Sequence, residues 1–371
     1  MTAALDLRRL TLSIGAPLIA VLFAVLVTGL VLFATGDPVW GTFQTMWDYG
    51  KQPRTMALTV NQATTYYLAA VAVAIGFRMN LFNIGVDGQY RFAAFAAAAV
   101  GAELSLPKPL HILVIVVVAV LVGAMWAGIA ALLKVTRGVS EVISTIMLNA
   151  IATALIAYLL RQVQVEVAGS SNVGTKPLPG SARIPGIPLI PDSSLDVYGF
   201  IVVAILVGIG YSVLLGRTRF GFDLRATGRS EAAAVASGVN VKRMILVSML
   251  LSGAVAGLIG MPTLMGQSYL YSLDFPAGIG FTGIAIALLG RNNAIGMAFS
   301  ALLFAFLDAS SVILDIEGIS KEIVLIMQGT IVLSVVIAYE LVRRYGIVQE
   351  QRRVSRELAA ASAAKREEVP A

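Results

Sequence analysis

Two polar clusters interrupt an otherwise apolar chain, and their residue types suit binding a solute better than breaking a covalent bond. The first, NLFNIGVDGQYRF, places Asn80, Asn83, Asp87, Gln89 and Arg91 beside Gly85 and Gly88. Asp87 and Arg91 stand four apart with the acid N-terminal, the order that permits an ion pair along one helix face and lowers the cost of burying either charge. The pair could neutralise itself, cap a broken helix, line a solute path or relay protons. The second cluster, Asn61, Gln62, Thr64 and Thr65 followed by Tyr66 and Tyr67, offers amides, hydroxyls and aromatic faces to a small polar ligand or to neighbouring helices. Enzyme chemistry has less to work with. The chain has no cysteine, which excludes disulfides, thiolate metal sites and cysteine nucleophiles together. His111 is the sole histidine, expected at the membrane interface, and no HExxH or membrane GxSxG is present. No catalytic residue, metal ligand or cofactor is assigned.

The elements that must position these clusters follow from composition. Hydrophobic residues are 58% of the 371 and charged residues 13%, against roughly 45–50% and about 25% in ordinary globular domains. Mean hydropathy is +0.85. Disorder, collagen-like repeats and a soluble enzyme are excluded, which leaves an all-α integral membrane protein. A crossing needs roughly 20 mostly apolar residues, and ten segments qualify: 11–34, 56–77, 82–102, 110–133, 139–160, 197–216, 244–266, 275–290, 294–312 and 323–342. Segment 275–290 is short or discontinuous. With the N-terminus inside, nineteen Lys and Arg lie on the cytoplasmic side and seven outside, as the positive-inside rule requires. Ten crossings place both termini in the cytoplasm.

The expected organisation is a cytoplasmic N-terminus over 1–10, a membrane domain over 11–342 and a charged cytoplasmic tail over 343–371. Arg8 and Arg9 precede an apolar run longer than a signal core, so the first helix is expected to stay uncleaved. The net charge of +6 is accounted for by cytoplasmic loops against lipid, with no nucleic-acid partner.

Polar or broken backbone at membrane depth must face protein or water, because hydrocarbon satisfies neither charges nor free amides. That applies to the Asn80–Arg91 cluster. Gly278, Gly280 and Gly283 match G-x-G-x-x-G but lack a preceding strand, so they read as close packing or as a half-helix opening within the membrane; Gly253 and Gly257 likewise read as packing. Residues 161–196, rich in proline and glycine, form an external loop that is either a tolerated insertion or a docking surface. No G-x-x-x-x-G-K-[ST] occurs, so any ATP that drives this protein is held by another chain.

The internal loop 217–243 reads RTRFGFDLRATGRSEAAAVASGVNVKR. Ser230 can cap a helix of about two turns and Gly238 supplies a left-handed stop. So short a helix needs a partner to pack on. With this loop, the segments FRMNLFNIGVDGQY, KVTRGVSEVISTIMLN, SGAVAGLIG and GFTGIAIALLGRNNAIG resemble the permease subunits of bacterial ABC importers, in the branch of ribose, branched-chain amino acid and nucleoside permeases. IALLGRNN around Arg291 is most similar to the nucleoside type. The resemblance implies a coupling helix in which Glu231, Ala232, Ala233 and Gly238 match the family's EAA-and-glycine signature, with Arg225 and Gly228 on its approach. Gly238 lies seven positions after Glu231, one more than in the usual signature.

It further implies a bacterial inner-membrane location, a cytoplasmic ABC ATPase, a second homologous permease and an extracytoplasmic solute-binding lipoprotein. Residue type and depth nominate Gln62, Thr65, Asn83, Asp87, Gln89, Asn149 and Thr282 for the path of a small polar solute, and suit a nucleoside, a pentose or a polar amino acid equally; the resemblance favours a nucleoside. The rival is an ion-coupled secondary transporter using Asp87 and Arg91.

Overall fold

A computed structural model describes residues 22–166 and 173–337, with single positions at 344, 351 and 355. The expected N-terminal segment 1–10, residues 11–21 of the first apolar segment and most of the tail 343–371 lie outside the described residues.

The helices run α1 (Leu22–Thr35), α2 (Val39–Gly50), α3 (Pro53–Phe77), α4 (Val86–Glu103), α5 (Lys108–Arg137) and α6 (Glu141–Val163). Two small antiparallel pairs follow, β1 (Gln164–Glu166) with β2 (Val173–Thr175), and β3 (Gly186–Ile187) with β4 (Val197–Tyr198). Then come α7 (Ile201–Arg217), α8 (Arg219–Arg229), α9 (Glu231–Ala236) and α10 (Val241–Leu258). The chain continues through the single turn α11 (Met261–Thr263) into a π-helical turn (Leu264–Ser268), then α12 (Ile279–Leu289), α13 (Ala294–Ile316) and α14 (Glu322–Ile337). Two compact units are distinguishable, Trp40–Lys321 and a smaller one from the two ends of the chain that includes α1 and α14.

The protein is a multi-pass, essentially all-α membrane protein. Among the described residues, α3, α5, α6, the run Val241–Ser268 and α13 are long and apolar enough to cross a membrane, and counting α1–α2 and α7–α8 as broken spans raises five to seven. The expected ten is not reached by this measure. α4 carries Asp87, Arg91 and Glu103, and α12 has only 11 residues.

Within the larger unit α3 is the central helix, contacted by α7, α10, α12 and α13, and its residues Leu68 to Ala74 are buried on every face. The glycines of α10 let it approach α5 closely. A Cβ on Gly253 would stand 2.4 Å from the Gly123 carbonyl oxygen, and one on Gly257 would stand 2.0 Å from that of Ala119, so the Gly253/Gly257 pair is a packing device.

Three expectations change. The segment 82–102 is helical only from Val86, with Gly85 as its N-cap, so Gly88 lies inside the helix instead of breaking it. The loop 217–243 holds two helices, because Thr218 caps α8 by accepting from the Gly221 N–H at 3.1 Å, and α8 leaves α7 at 72°. His111 is fully buried: its ring nitrogens contact Ser181 Oγ and the Gly101 carbonyl, each at 2.9 Å, pinning the segment between α6 and α7 to the end of α4. That segment is strapped down. The Thr175, Leu178 and Ile184 N–H groups donate to the carbonyls of Tyr271, Tyr269 and Met265 at 2.7–3.0 Å.

Candidate functional site

Halfway along α3, a cavity of about 350 Å³ opens between that helix, the π-helical turn, the start of α12 and the strap, lined by Gln62, Thr65, Tyr66, Tyr198, Gln267 and Pro276 among others. Each polar wall residue has a local reason for its place. Gln62 and Tyr66 are one turn apart, and the Gln62 amide donates to the Tyr66 hydroxyl at 2.9 Å. Tyr66 in turn donates to the Asp308 carboxylate on α13, which Gln62 reaches at 3.5 Å. Gln267 sits in the π-helical turn, a geometry common at functional sites, and its carbonyl accepts from the Tyr198 hydroxyl at 2.6 Å. Thr65 is only 5% exposed, and its hydroxyl has no hydrogen-bond partner among the described residues. At the outer end Asn61 clamps the strap, donating to the Asp196 carbonyl at 3.0 Å and accepting from the Tyr198 N–H at 2.7 Å.

Tyr271 stacks beside Phe275 and meets Phe95 edge-on, and burial raises its phenol above the ordinary value.

The first polar cluster is built differently. Asn83 and Gln89 exchange amide hydrogen bonds at 3.0 and 2.9 Å, and Asn83 also donates to Ser252 Oγ at 2.8 Å. Asn149 on α6 donates to the Ile84 carbonyl at 2.9 Å and accepts from the Gly88 N–H at 2.8 Å. Asn149 and Asn83, whose Oδ1 accepts from the Gly85 N–H at 3.2 Å, thus supply hydrogen bonds that the irregular backbone before α4 lacks, and Gln89 holds the Asn83 amide in place.

Asp87 does not pair with Arg91. Its carboxylate accepts from the Gly278 N–H at 2.7 Å and the Gly280 N–H at 3.4 Å, at the start of α12, while Arg91 Nη1 donates to Thr153 Oγ1 at 3.1 Å. An acid at a helix N-terminus meets free amides and the positive end of the dipole. The α12 glycines serve that contact: Gly278 takes a left-handed φ of 85°, and a Cβ on Gly280 would stand 2.6 Å from the Asp87 nitrogen.

Of the seven expected path residues the cavity therefore brings together Gln62 and Thr65. Asn83, Gln89 and Asn149 cluster at the break, Asp87 stands at the head of α12, and Thr282 is partly exposed on α12 outside the cavity wall. Sequence reasoning missed Tyr198, Gln267 and Asp308. Only Asp308 left a signal, as an acid within the otherwise uncharged run 294–314.

At the opposite end of the bundle, Arg78 and the Tyr211 hydroxyl both donate to the Asn292 carbonyl at 2.7 Å, gathering the ends of α3, α7 and α12. Gly228 of α8 lies on this turn, where a Cβ would meet the Arg78 carbonyl oxygen at 2.6 Å and Met79 Cα at 2.9 Å. Beyond it, Ser230 Oγ accepts from the Ala233 N–H at 3.3 Å and Gly238 closes α9 with φ 79°. Glu231, Ala232, Ala233 and Val235 are exposed while Ala234 is buried, and Arg225 is half-buried. A groove of about 550 Å³ beside α9 is lined by Lys134, Glu231, Val235 and Lys242 among others. Lys134 pairs with Glu141 at 2.5 Å.

Comparison with known proteins adds an independent line. The family described as branched-chain amino acid transport system / permease component matches residues 55–336. The guanosine ABC transporter permease protein NupP of Bacillus subtilis is 34% identical, over 87% of this chain and 93% of its own. The glucose ABC transporter permease protein TsgB13 of Haloferax volcanii is 32% identical over 92% and 93% respectively. The nucleoside ABC transporter permease protein NupB of Lactococcus lactis is 29% identical over 87% and 90%.

Proposed function

Because the chain belongs to the branched-chain amino acid transport system / permease component family, we propose that it is the transmembrane subunit of an ATP-binding cassette importer carrying a nucleoside. The observation that carries this reading is α9: a capped two-turn helix with Glu231, Ala232 and Ala233 exposed, continuous with α8, whose Gly228 rests on the turn just before the break. A cytoplasmic ATPase grips Glu231–Gly238, and its closure moves α8 with Arg225 and Gly228 against Arg78–Met79. The break, held by Asn83, Gln89 and Asn149, passes that movement to Asp87 and so to α12, whose first residues wall the cavity.

The solute contacts Gln62 and Thr65, and Thr282 faces its route along α12. Ten crossings, both termini in the cytoplasm and residence in the inner membrane complete the topology, with 11–342 as the membrane domain. A second homologous permease and an extracytoplasmic binding protein complete the complex. The nucleoside assignment is supported by the guanosine and nucleoside names of two relatives. No catalytic step falls to this chain, since hydrolysis belongs to the ATPase subunit. The ion-coupled alternative loses support because Asp87 is engaged by backbone amides away from Arg91.

The test is reconstitution in proteoliposomes with the ATPase, the second permease and the binding protein. Guanosine uptake should require ATP. Uptake by this chain alone under a proton gradient, without any ATPase, overturns the proposal.

A further inference from the structure

We infer that the cavity around Thr65 is a solute-selection site that holds one uncharged polar solute and refuses its phosphorylated form. The inference rests on the importer reading above and adds where discrimination occurs and on what chemistry.

Three wall groups keep unused hydrogen-bonding capacity. Thr65 lines the cavity at only 5% exposure, and its hydroxyl has no hydrogen-bond partner among the described residues. Gln62 donates its amide N–H to Tyr66, whose own proton goes to Asp308, so the amide is oriented with its carbonyl oxygen left over. Gln267 shows the reverse: its carbonyl accepts from Tyr198, leaving the amide N–H. The wall thus supplies one acceptor, one donor and one hydroxyl that does either. A buried polar group left unsatisfied is costly, so a solute whose edge carries both donors and acceptors, as a nucleobase or a sugar does, is favoured over an apolar molecule of the same size.

The wall carries no charge. None of the residues lining the cavity is Lys, Arg, Asp or Glu, and the carboxylate of Asp308 stands directly behind Tyr66. A phosphate entering here sheds water, finds no cation, and approaches a negative group, the combination that makes buried charge unfavourable. At about 350 Å³ the space is at the small end of ligand cavities, which span roughly 300–1,000 Å³, and fits a single solute.

The experiment is equilibrium binding of tritiated guanosine to the assembled complex in nanodiscs, with neither ATP nor binding protein. Unlabelled guanosine should displace the probe, and guanosine 5′-monophosphate at roughly 100-fold excess should not. Thr65→Val and Gln62→Leu should each weaken binding about tenfold, and Thr65→Ser should retain it. Competition by the monophosphate on a par with guanosine overturns the inference, as does wild-type affinity in both Thr65→Val and Gln62→Leu. ATP-driven guanosine uptake without measurable binding overturns the site and leaves the importer reading standing. If guanosine is neither bound nor imported, the nucleoside reading fails, and ribose against ribose 5-phosphate tests the filter alone: retention of ribose with exclusion of the phosphate supports it, and any other pattern overturns it.

Discussion

Asp87 is a buried acid whose partners are backbone amides instead of the nearby Arg91. It gives up water and regains two backbone N–H groups from Gly278 and Gly280, 191 and 193 residues away in sequence. Residue type marked Asp87 as needing protein or water around it, and spacing offered Arg91 as the local partner. The actual partner comes from packing between distant helices, which no local pattern encodes. Gln62 and Thr65 were legible because polar side chains in the middle of an apolar helix are rare. Tyr198 and Gln267 sit at the edges of apolar segments, where polar residues are ordinary, and only the π-helical turn and the strap bring them together. Removing the Asp87 acceptor with Asp87→Ala should cost about 1–3 kcal/mol, read as a lower thermal-inactivation midpoint of the purified complex together with reduced uptake. Asp87→Asn keeps an acceptor for the α12 amides and should retain most of both. A proton-carrying acid would give the opposite: Asp87→Asn as inactive as Asp87→Ala, with the pH dependence of uptake abolished.

At the scale of elements, the proposed function gives α9 the part of holding the ATPase and α8 that of transmitting its movement. α9 was legible from its start and stop signals, Ser230 and Gly238, and both act as read. α8 was not, since its arginines resemble a basic loop and its buried residues Gly221, Leu224 and Thr227 are too few and too small to form an evident apolar stripe; its one signal was the cap at Thr218. Ser230→Ala removes the cap of α9, which for such caps costs about 0.5–2 kcal/mol. Its expected effect is a several-fold weaker ATPase affinity, measured by titrating the ATPase onto the permease in nanodiscs. Gly228→Val acts elsewhere, since its Cβ would enter the space of the Arg78 carbonyl at 2.6 Å. The ATPase should still bind that variant, while stimulation of its hydrolysis by solute-loaded binding protein falls at least about tenfold. Loss of ATPase binding in Gly228→Val with normal binding in Ser230→Ala would reverse the division.

For the whole molecule, hydropathy and charge give different counts, and the difference has a physical origin. α4 contains Asp87, Arg91 and Glu103, yet Asp87 and Gln89 are buried against protein, so the helix need not be apolar to cross. α12 has only 11 residues, and the Asp87 carboxylate accepts from amides at its start, the arrangement by which a half-helix can end inside a membrane. Charge counts sides instead of lengths, and deleting any one crossing moves every later loop to the wrong side. The complete lack of cysteine makes the sides measurable. Single cysteines at Ser194 in the strap, Ala236 in α9 and Glu317 after α13 occupy exposed positions. In spheroplasts a membrane-impermeant maleimide should label Ser194→Cys and Glu317→Cys directly, and Ala236→Cys only after lysis. If α4 does not cross, Ser194→Cys and Ala236→Cys exchange behaviour. If α12 does not cross, Glu317→Cys joins Ala236→Cys in needing lysis. Either result would place α9 or the end of α13 on a side from which the proposed coupling and path geometry cannot operate, so the labelling pattern decides the topology on which the transport mechanism depends.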